Sequence, residues 1–246
     1  MEFVSAFDWN TGEDLLGALA RIIILLLALC VHEWAHTFAA VKCGDYTPKL
    51  AGRLTLNPLK HFDPIGFVML LCVNVGYAKP VPINSYNFRH QKRDTVWVSL
   101  AGVISNFCMA FIFLMISTCI AQFAPGWYYA SDNLFSYFIY SLLTFGYILN
   151  IALMVFNLLP IYPLDGFRLV EVSTRGNNRY RTFMYRYGQF VLLGLLIESV
   201  LMNMIYRSTG IAVFYYLDIL GNLISQLSQW IIWPLQKLWM LFWGVF

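Results

Sequence analysis

The stretch Leu15-Leu16-Gly17-Ala18-Leu19-Ala20-Arg21-Ile22-Ile23-Ile24-Leu25-Leu26-Leu27-Ala28-Leu29-Cys30-Val31, running straight into His32-Glu33-Trp34-Ala35-His36 and then Thr37 to Val41, decides the fold. A span needs about 20 apolar residues to cross a hydrocarbon core of roughly 30 Å, and Leu15 to Val41 supplies them. The run is too long for a removable signal peptide, has acidic Glu13 and Asp14 before it, and ends in His and Glu instead of a small-residue cleavage site. Ionisable groups inside a span are costly in hydrocarbon and are functional by default.

Three more runs qualify as spans: Val96 to Phe123, Leu134 to Leu159, and Tyr187 to Tyr206. A fifth, Ile211 to Ile232, is interrupted by Asp218 and by Gly221-Asn222. The run from Pro64 to Ala78 would reach only about 22 Å as helix, so it is expected to dip into the bilayer and return. The chain is therefore expected to be an all-α polytopic membrane protein with five to six membrane segments, one of them re-entrant, forming a single integral-membrane domain over residues 1–246.

Composition agrees. Of 246 residues, 59% are hydrophobic and 12% charged, against about 25% charged in soluble domains. That excludes a free cytosolic enzyme, a secreted disulfide scaffold, a coiled coil and a disordered tail. Sixteen Lys and Arg against thirteen Asp and Glu is too small an excess for nucleic-acid binding. The five cysteines lack paired spacing and read as small apolar residues.

Positive charge orients the chain, because Lys and Arg concentrate on the cytoplasmic side. Thirteen of the sixteen basic residues lie in three stretches: Lys42 to Lys60, Lys79 to Arg93, and Arg168 to Arg186. These loops are expected in the cytoplasm and the acidic N-terminus outside, with the protein in the cell membrane. Both flanks of Pro64 to Ala78 are basic, which fits a run that enters and leaves on one side. Trp230, Trp233, Trp239 and Trp243, with Lys237 among them, read as an interfacial anchor at the end of C-terminal membrane helices over 183–246.

His32 and His36 stand four positions apart, so on a helix they aim at one point as two zinc ligands, and Glu33 beside them can act as a base on the attacking water. Catalytic zinc takes three protein ligands and keeps one position open. Asp165 is the best third ligand, because it lies at the cytoplasmic end of a span in Asn157-Leu158-Leu159-Pro160-Ile161-Tyr162-Pro163-Leu164-Asp165-Gly166. Pro160 and Pro163 break the helix there and Gly166 permits a tight turn. His61 and His90, beside Lys60 and Arg89, read as surface residues, and Glu198 lies mid-span without an obvious partner.

These residues resemble the site-2 protease family of intramembrane zinc metalloproteases. Its two signatures are complete at His32 to His36 and Asn157 to Gly166, and Gly102-Val103-Ile104-Ser105-Asn106 is similar to its Gly-x-x-x-Asn element. The strings Gly52-Arg53-Leu54-Thr55-Leu56-Asn57-Pro58 and Ala78-Lys79-Pro80-Val81-Pro82 resemble the compact branch without PDZ or CBS domains. Val103 and Phe167 depart from the Pro and the second Gly of many relatives. The resemblance implies a catalytic core over 15–166 that hydrolyses peptide bonds within membrane-spanning protein substrates, with one zinc ion per chain. It further implies that Asn157 and Asn106 hold the substrate or its developing oxyanion; interhelical hydrogen bonding is the plainer role for a buried Asn. Tyr46 to Leu56 reads as a short cytoplasmic β-hairpin turning at Gly52, able to pair with an unwound substrate by strand addition, or else as a structural loop. A metal transporter would have no use for Glu33 beside two ligands, and an idle substrate-retaining scaffold would not need an intact ligand and base set.

Overall fold

The computed structural model describes residues 12–61, 63, 79–130, 133–174 and 178–244. The expected re-entrant run at Pro64 to Ala78 lies outside the described residues. Among the described residues, four helices are long and apolar enough to cross a membrane. They are α1 (Gly12–Cys43), α4 (Gln91–Phe123), α6 (Leu134–Asn157) and α8 (Arg179–Thr209). Short helical turns lie between them: α2 (Thr47–Leu50), α3 (Pro58–His61) and α5 (Pro125–Tyr128). Helix α7 (Asp165–Ser173) follows α6, and α9 (Ala212–Leu217) and α10 (Ile219–Phe242) follow α8.

Helices α1, α4 and α6 each pack on the other two. Lipid tails are as apolar as Leu, so membrane helices associate by close packing of small residues while larger apolar ones face lipid. Ala18, Ala20, Ala28 and Ala40 of α1 are buried, and so are Ser99, Gly102 and Ala110 of α4 and Ser141 and Gly146 of α6. Leu19, Ile23 and Leu27 of α1 and Ile104 and Ile112 of α4 are exposed. The sequence marks the helix starts: Asn133 Oδ1 accepts from Phe135 N and Ser136 N at 3.0 and 3.2 Å, and Asn178 Oδ1 accepts from Tyr180 N at 2.9 Å.

The β-hairpin expected over Tyr46 to Leu56 does not form; no strand is present among the described residues. Asp45 Oδ1 accepts from Thr47 N at 3.0 Å, and Pro48 occupies the first turn of α2, where its fixed φ and missing N–H are tolerated. Gly52, at φ 71°, ends that turn: its N–H reaches Lys49 O, and Arg53 N reaches Pro48 O at 2.9 Å. That pair of bonds is a helix C-terminal motif, and it uses the same glycine that a hairpin would. No edge for strand addition exists there.

The single span expected over Ile211 to Ile232 is likewise divided. Asp218, 6% exposed, caps α10 by accepting from Gly221 N at 2.8 Å, and Asn222 Nδ2 donates to Tyr215 O at 2.7 Å. Helix α10 then packs along α6, α4 and α8. Trp239 is buried against Phe111, and Trp243 Nε1 donates to Thr118 Oγ1 at 3.2 Å. Those two indoles therefore pack into the helix bundle, whereas Trp230 and Trp233 are exposed. His61, read as a surface residue, is buried, with its Nε2 2.9 Å from Thr55 O.

Candidate metal centre

Two elements bring the three expected ligands together. His32 and His36 project from one face of α1, one turn apart, and Asp165 is the first residue of α7. Helix α6 ends at Asn157, the chain reverses through Pro160 and Pro163, and α7 starts beside α6's end. Gly166 makes the approach possible, since a Cβ there would run into the Leu158 and Leu159 carbonyls.

The three ligand atoms converge. His32 Nε2 and His36 Nε2 are 3.0 Å apart, and each faces Asp165 Oδ2, at 3.3 and 2.9 Å. All three residues are at most 8% exposed. Oδ2 lies this close to both rings without a hydrogen-bond partner of its own, and three ligand atoms gathered so closely can surround a common point. A tetrahedral zinc with bonds of about 2.0–2.1 Å would set its ligand atoms about 3.3 Å apart, so the donor set fits that ion in kind and in spacing.

Helix α4 supplies the back wall. His36 Nδ1 lies 2.7 Å from Val98 O. A carbonyl only accepts, so Nδ1 carries the proton and Nε2 presents its lone pair to the centre. One turn on, a Cβ at Gly102 would lie 2.5 Å from His36 Nε2 and from His32 Cε1. Any side chain at 102 would enter the ligand cradle. Sequence reading singled out Gly102 as part of a motif without giving it this place, and the Val98 carbonyl, a backbone group, left no residue signal at all.

The remaining expected site residues are placed as follows. Glu33, half-buried, directly follows His32, and its carbonyl accepts from Thr37 Oγ1 at 3.0 Å. Asn106 is fully buried one turn beyond Gly102, with neither Oδ1 nor Nδ2 hydrogen-bonded. A buried amide without partners costs several kcal/mol at its upper range, and both polar atoms of Asn106 are left available to water or to a ligand. Asn157 is half-buried and donates from Nδ2 to Leu153 O at 3.0 Å. Phe167 is 1% exposed and packs edge-on against Tyr162 and Tyr185, which accounts for a large residue at that position.

Comparison with known proteins places the chain among zinc metalloproteases. A profile of Peptidase family M50 matches residues 20–140 and 128–195. The chain is 38% identical over 188 residues to "Putative zinc metalloprotease YwhC" of Bacillus subtilis, covering 73% of this chain and 80% of that protein. It is 28% identical to "Putative zinc metalloprotease Rip2" of Mycolicibacterium smegmatis over 80% of this chain and 72% of the relative. The Mycobacterium tuberculosis protein of the same name is also 28% identical, over 78% of this chain and 73% of its own. No solved structure matches significantly. With its two histidines and aspartate gathered at one buried point and the family profile covering most of its length, the chain belongs to Peptidase family M50, the site-2 protease family of zinc metalloproteases.

Proposed function

We propose that His32, His36 and Asp165 hold the single zinc ion of this intramembrane zinc metalloprotease, and that Glu33 is its general base. The observation that carries the assignment is the convergence of three buried ligand atoms, each within 4.8 Å of the others, on one point between α1 and α7. Zinc bound there supplies Lewis acidity toward the scissile carbonyl and the attacking water. Glu33 removes a proton from that water as its oxygen bonds to the carbonyl carbon. The same carboxyl then delivers the proton to the amine nitrogen as the C–N bond breaks. Asn106 Nδ2 donates to the developing oxyanion, and Asn157, bonded through Nδ2 to Leu153, offers Oδ1 to a substrate N–H.

The substrates are transmembrane proteins, cut inside their spans, and the enzyme sits in the cell membrane with its N-terminus outside and the loops around Lys49, Arg89 and Arg179 in the cytoplasm. Support for placing the first two basic stretches on one side is that His61 and Lys79 meet: Lys79 N donates to His61 O at 2.9 Å, and buried Arg53 donates from Nη1 to Lys60 O at 2.5 Å.

Metal content and cleavage of a reporter membrane substrate test the assignment together. Glu33→Gln keeps zinc and loses about 100- to 10,000-fold in rate, the usual worth of a general base. His36→Ala combined with Asp165→Ala loses the metal. Zinc retained by that double variant, or full activity in Glu33→Gln, would overturn the reading.

A further inference from the structure

The residues on either side of Asp165 are gripped by α8, a helix that supplies no ligand. Before Asp165, the Pro160 carbonyl accepts a hydrogen bond from the Tyr180 hydroxyl. After it, Glu171 Oε1 accepts from the Tyr185 hydroxyl at 2.5 Å and from Arg181 Nη2 at 3.4 Å. Between these, Phe167 is enclosed by the rings of Tyr162, Tyr180 and Tyr185, with centroids 5.7, 6.4 and 5.2 Å away. Gly188 lets the helix come this close: a Cβ there would lie 2.8 Å from Tyr162 Cβ and 3.0 Å from Tyr162 O.

A carboxylate ligand on a reversing loop is only as well placed as the loop. His32 and His36 are carried by the body of α1, and His36 is held further by Val98 O. Asp165 opens a short helix that rests on α4, and the side-chain hydrogen bonds from α8 fall on both flanks of it. We propose that the first three turns of α8 are a clamp that sets the position of Asp165, with Tyr180, Tyr185 and Gly188 as positioning residues. A consequence is that displacing this end of α8 loosens the metal without touching a ligand. The inference rests on Asp165 being a ligand.

The test is zinc affinity of the full chain in detergent, measured by chelator competition, with cobalt absorption as a second readout of ligand geometry. Tyr180→Phe combined with Tyr185→Phe removes two hydroxyls and leaves the rings. It is expected to weaken zinc binding about 10- to 100-fold, the usual cost of losing groups that orient a ligand, and to change the cobalt spectrum. Glu171→Gln, which keeps an acceptor oxygen for Tyr185, should retain more affinity than Glu171→Ala. Tyr206→Phe, far along the same helix, should match wild type, which a general loosening of α8 would not produce. Gly188→Ala should weaken binding too; if it does not fold, the hydroxyl variants decide. Wild-type affinity and spectrum in the double Phe variant, alongside lost zinc in Asp165→Ala, would overturn the clamp. Wild-type affinity in Asp165→Ala would instead overturn the ligand assignment beneath it.

Discussion

At the scale of single residues, Gly102 shows how far a centre depends on what is missing from a side chain. The two histidines are legible in any reading of His32-Glu33-Trp34-Ala35-His36, because spacing of four on a helix puts them on one face. Glycine's contribution is legible only in three dimensions, since it consists of room for the rings. Gly102→Ala would place a methyl 2.5 Å from His36 Nε2 and 2.7 Å from His32 Nδ1. The rings must move by something near an ångström, a displacement that costs about 100-fold in rate when reacting groups are held by position. Helix propensity favours Ala over Gly by about 1 kcal/mol, so α4 itself should persist. The expected outcome is a folded protein with weakened zinc binding and about 100-fold slower cleavage. Wild-type zinc affinity in Gly102→Ala would show that the cradle yields elsewhere.

At the scale of elements, the long helices were legible and the connections between them were not. Hydrophobic length identifies α1, α4, α6 and α8, because lipid imposes the helix on any long apolar run. The stretch after α1 has no such constraint. Gly52 signals a left-handed turn equally for a hairpin and for a helix end, and the choice was made by Asp45 and Pro48. Asp45 is fully buried and collects the whole connection: Oδ1 accepts from Thr47 N at 3.0 Å and Asn87 Nδ2 at 2.9 Å, and Oδ2 from Asn84 N at 2.7 Å. Burial alone would raise its carboxyl, but the bonds from Thr47, Asn87 and Asn84 outweigh it and hold the group below its ordinary value. A carboxyl depressed in the folded state stabilises fully above the unfolded value of about 3.9, and the contribution fades as pH falls through the lower folded one. Asp45→Asn is thus expected to cost about 1.5–3 kcal/mol at neutral pH. Its deficit against wild type should stay constant above about pH 5 and narrow below about pH 4. Thermal unfolding in detergent across that range checks the sign; a deficit that widens in acid would contradict it.

At the scale of the whole molecule, the arrangement has a direction, and its two ends can be told apart. His36 and Val98 meet near the Cys43 end of α1 and the Gln91 end of α4, whereas Tyr129 lies just beyond the far end of α4. The basic stretches fall at the first of these ends, so that end should face the cytoplasm. On a cysteine-free background, an impermeant thiol reagent added outside should label Tyr129→Cys and spare Arg89→Cys; both positions are exposed. The reverse pattern would invert the topology.

The proposed orientation carries a prediction of where a substrate is cut. Cys43 stands seven positions after His36, roughly 10 Å at helical rise, so in the proposed orientation the centre would lie below the membrane surface, nearer the cytoplasmic side. A substrate span should therefore be cleaved within its apolar run, toward its cytoplasmic end, with the soluble product released there. The helical substrate hides each peptide bond in its own hydrogen bonds, and bonds broken in lipid find no water to replace them. Tyr46 to Leu56 offers no strand to stabilise an unwound stretch, because Thr47–Leu50 is a helical turn and the residues up to Leu56 are irregular. Local weakness of the substrate helix then carries more of the burden. Gly or Pro placed at that depth costs a helix about 1 or 3 kcal/mol, and should speed cleavage several-fold for Gly and more for Pro, while a run of Leu should slow it. Mass spectrometry of the products reads both position and rate. Cuts confined to a soluble juxtamembrane stretch, at rates indifferent to those substitutions, would mean that the centre acts on chains already outside the bilayer.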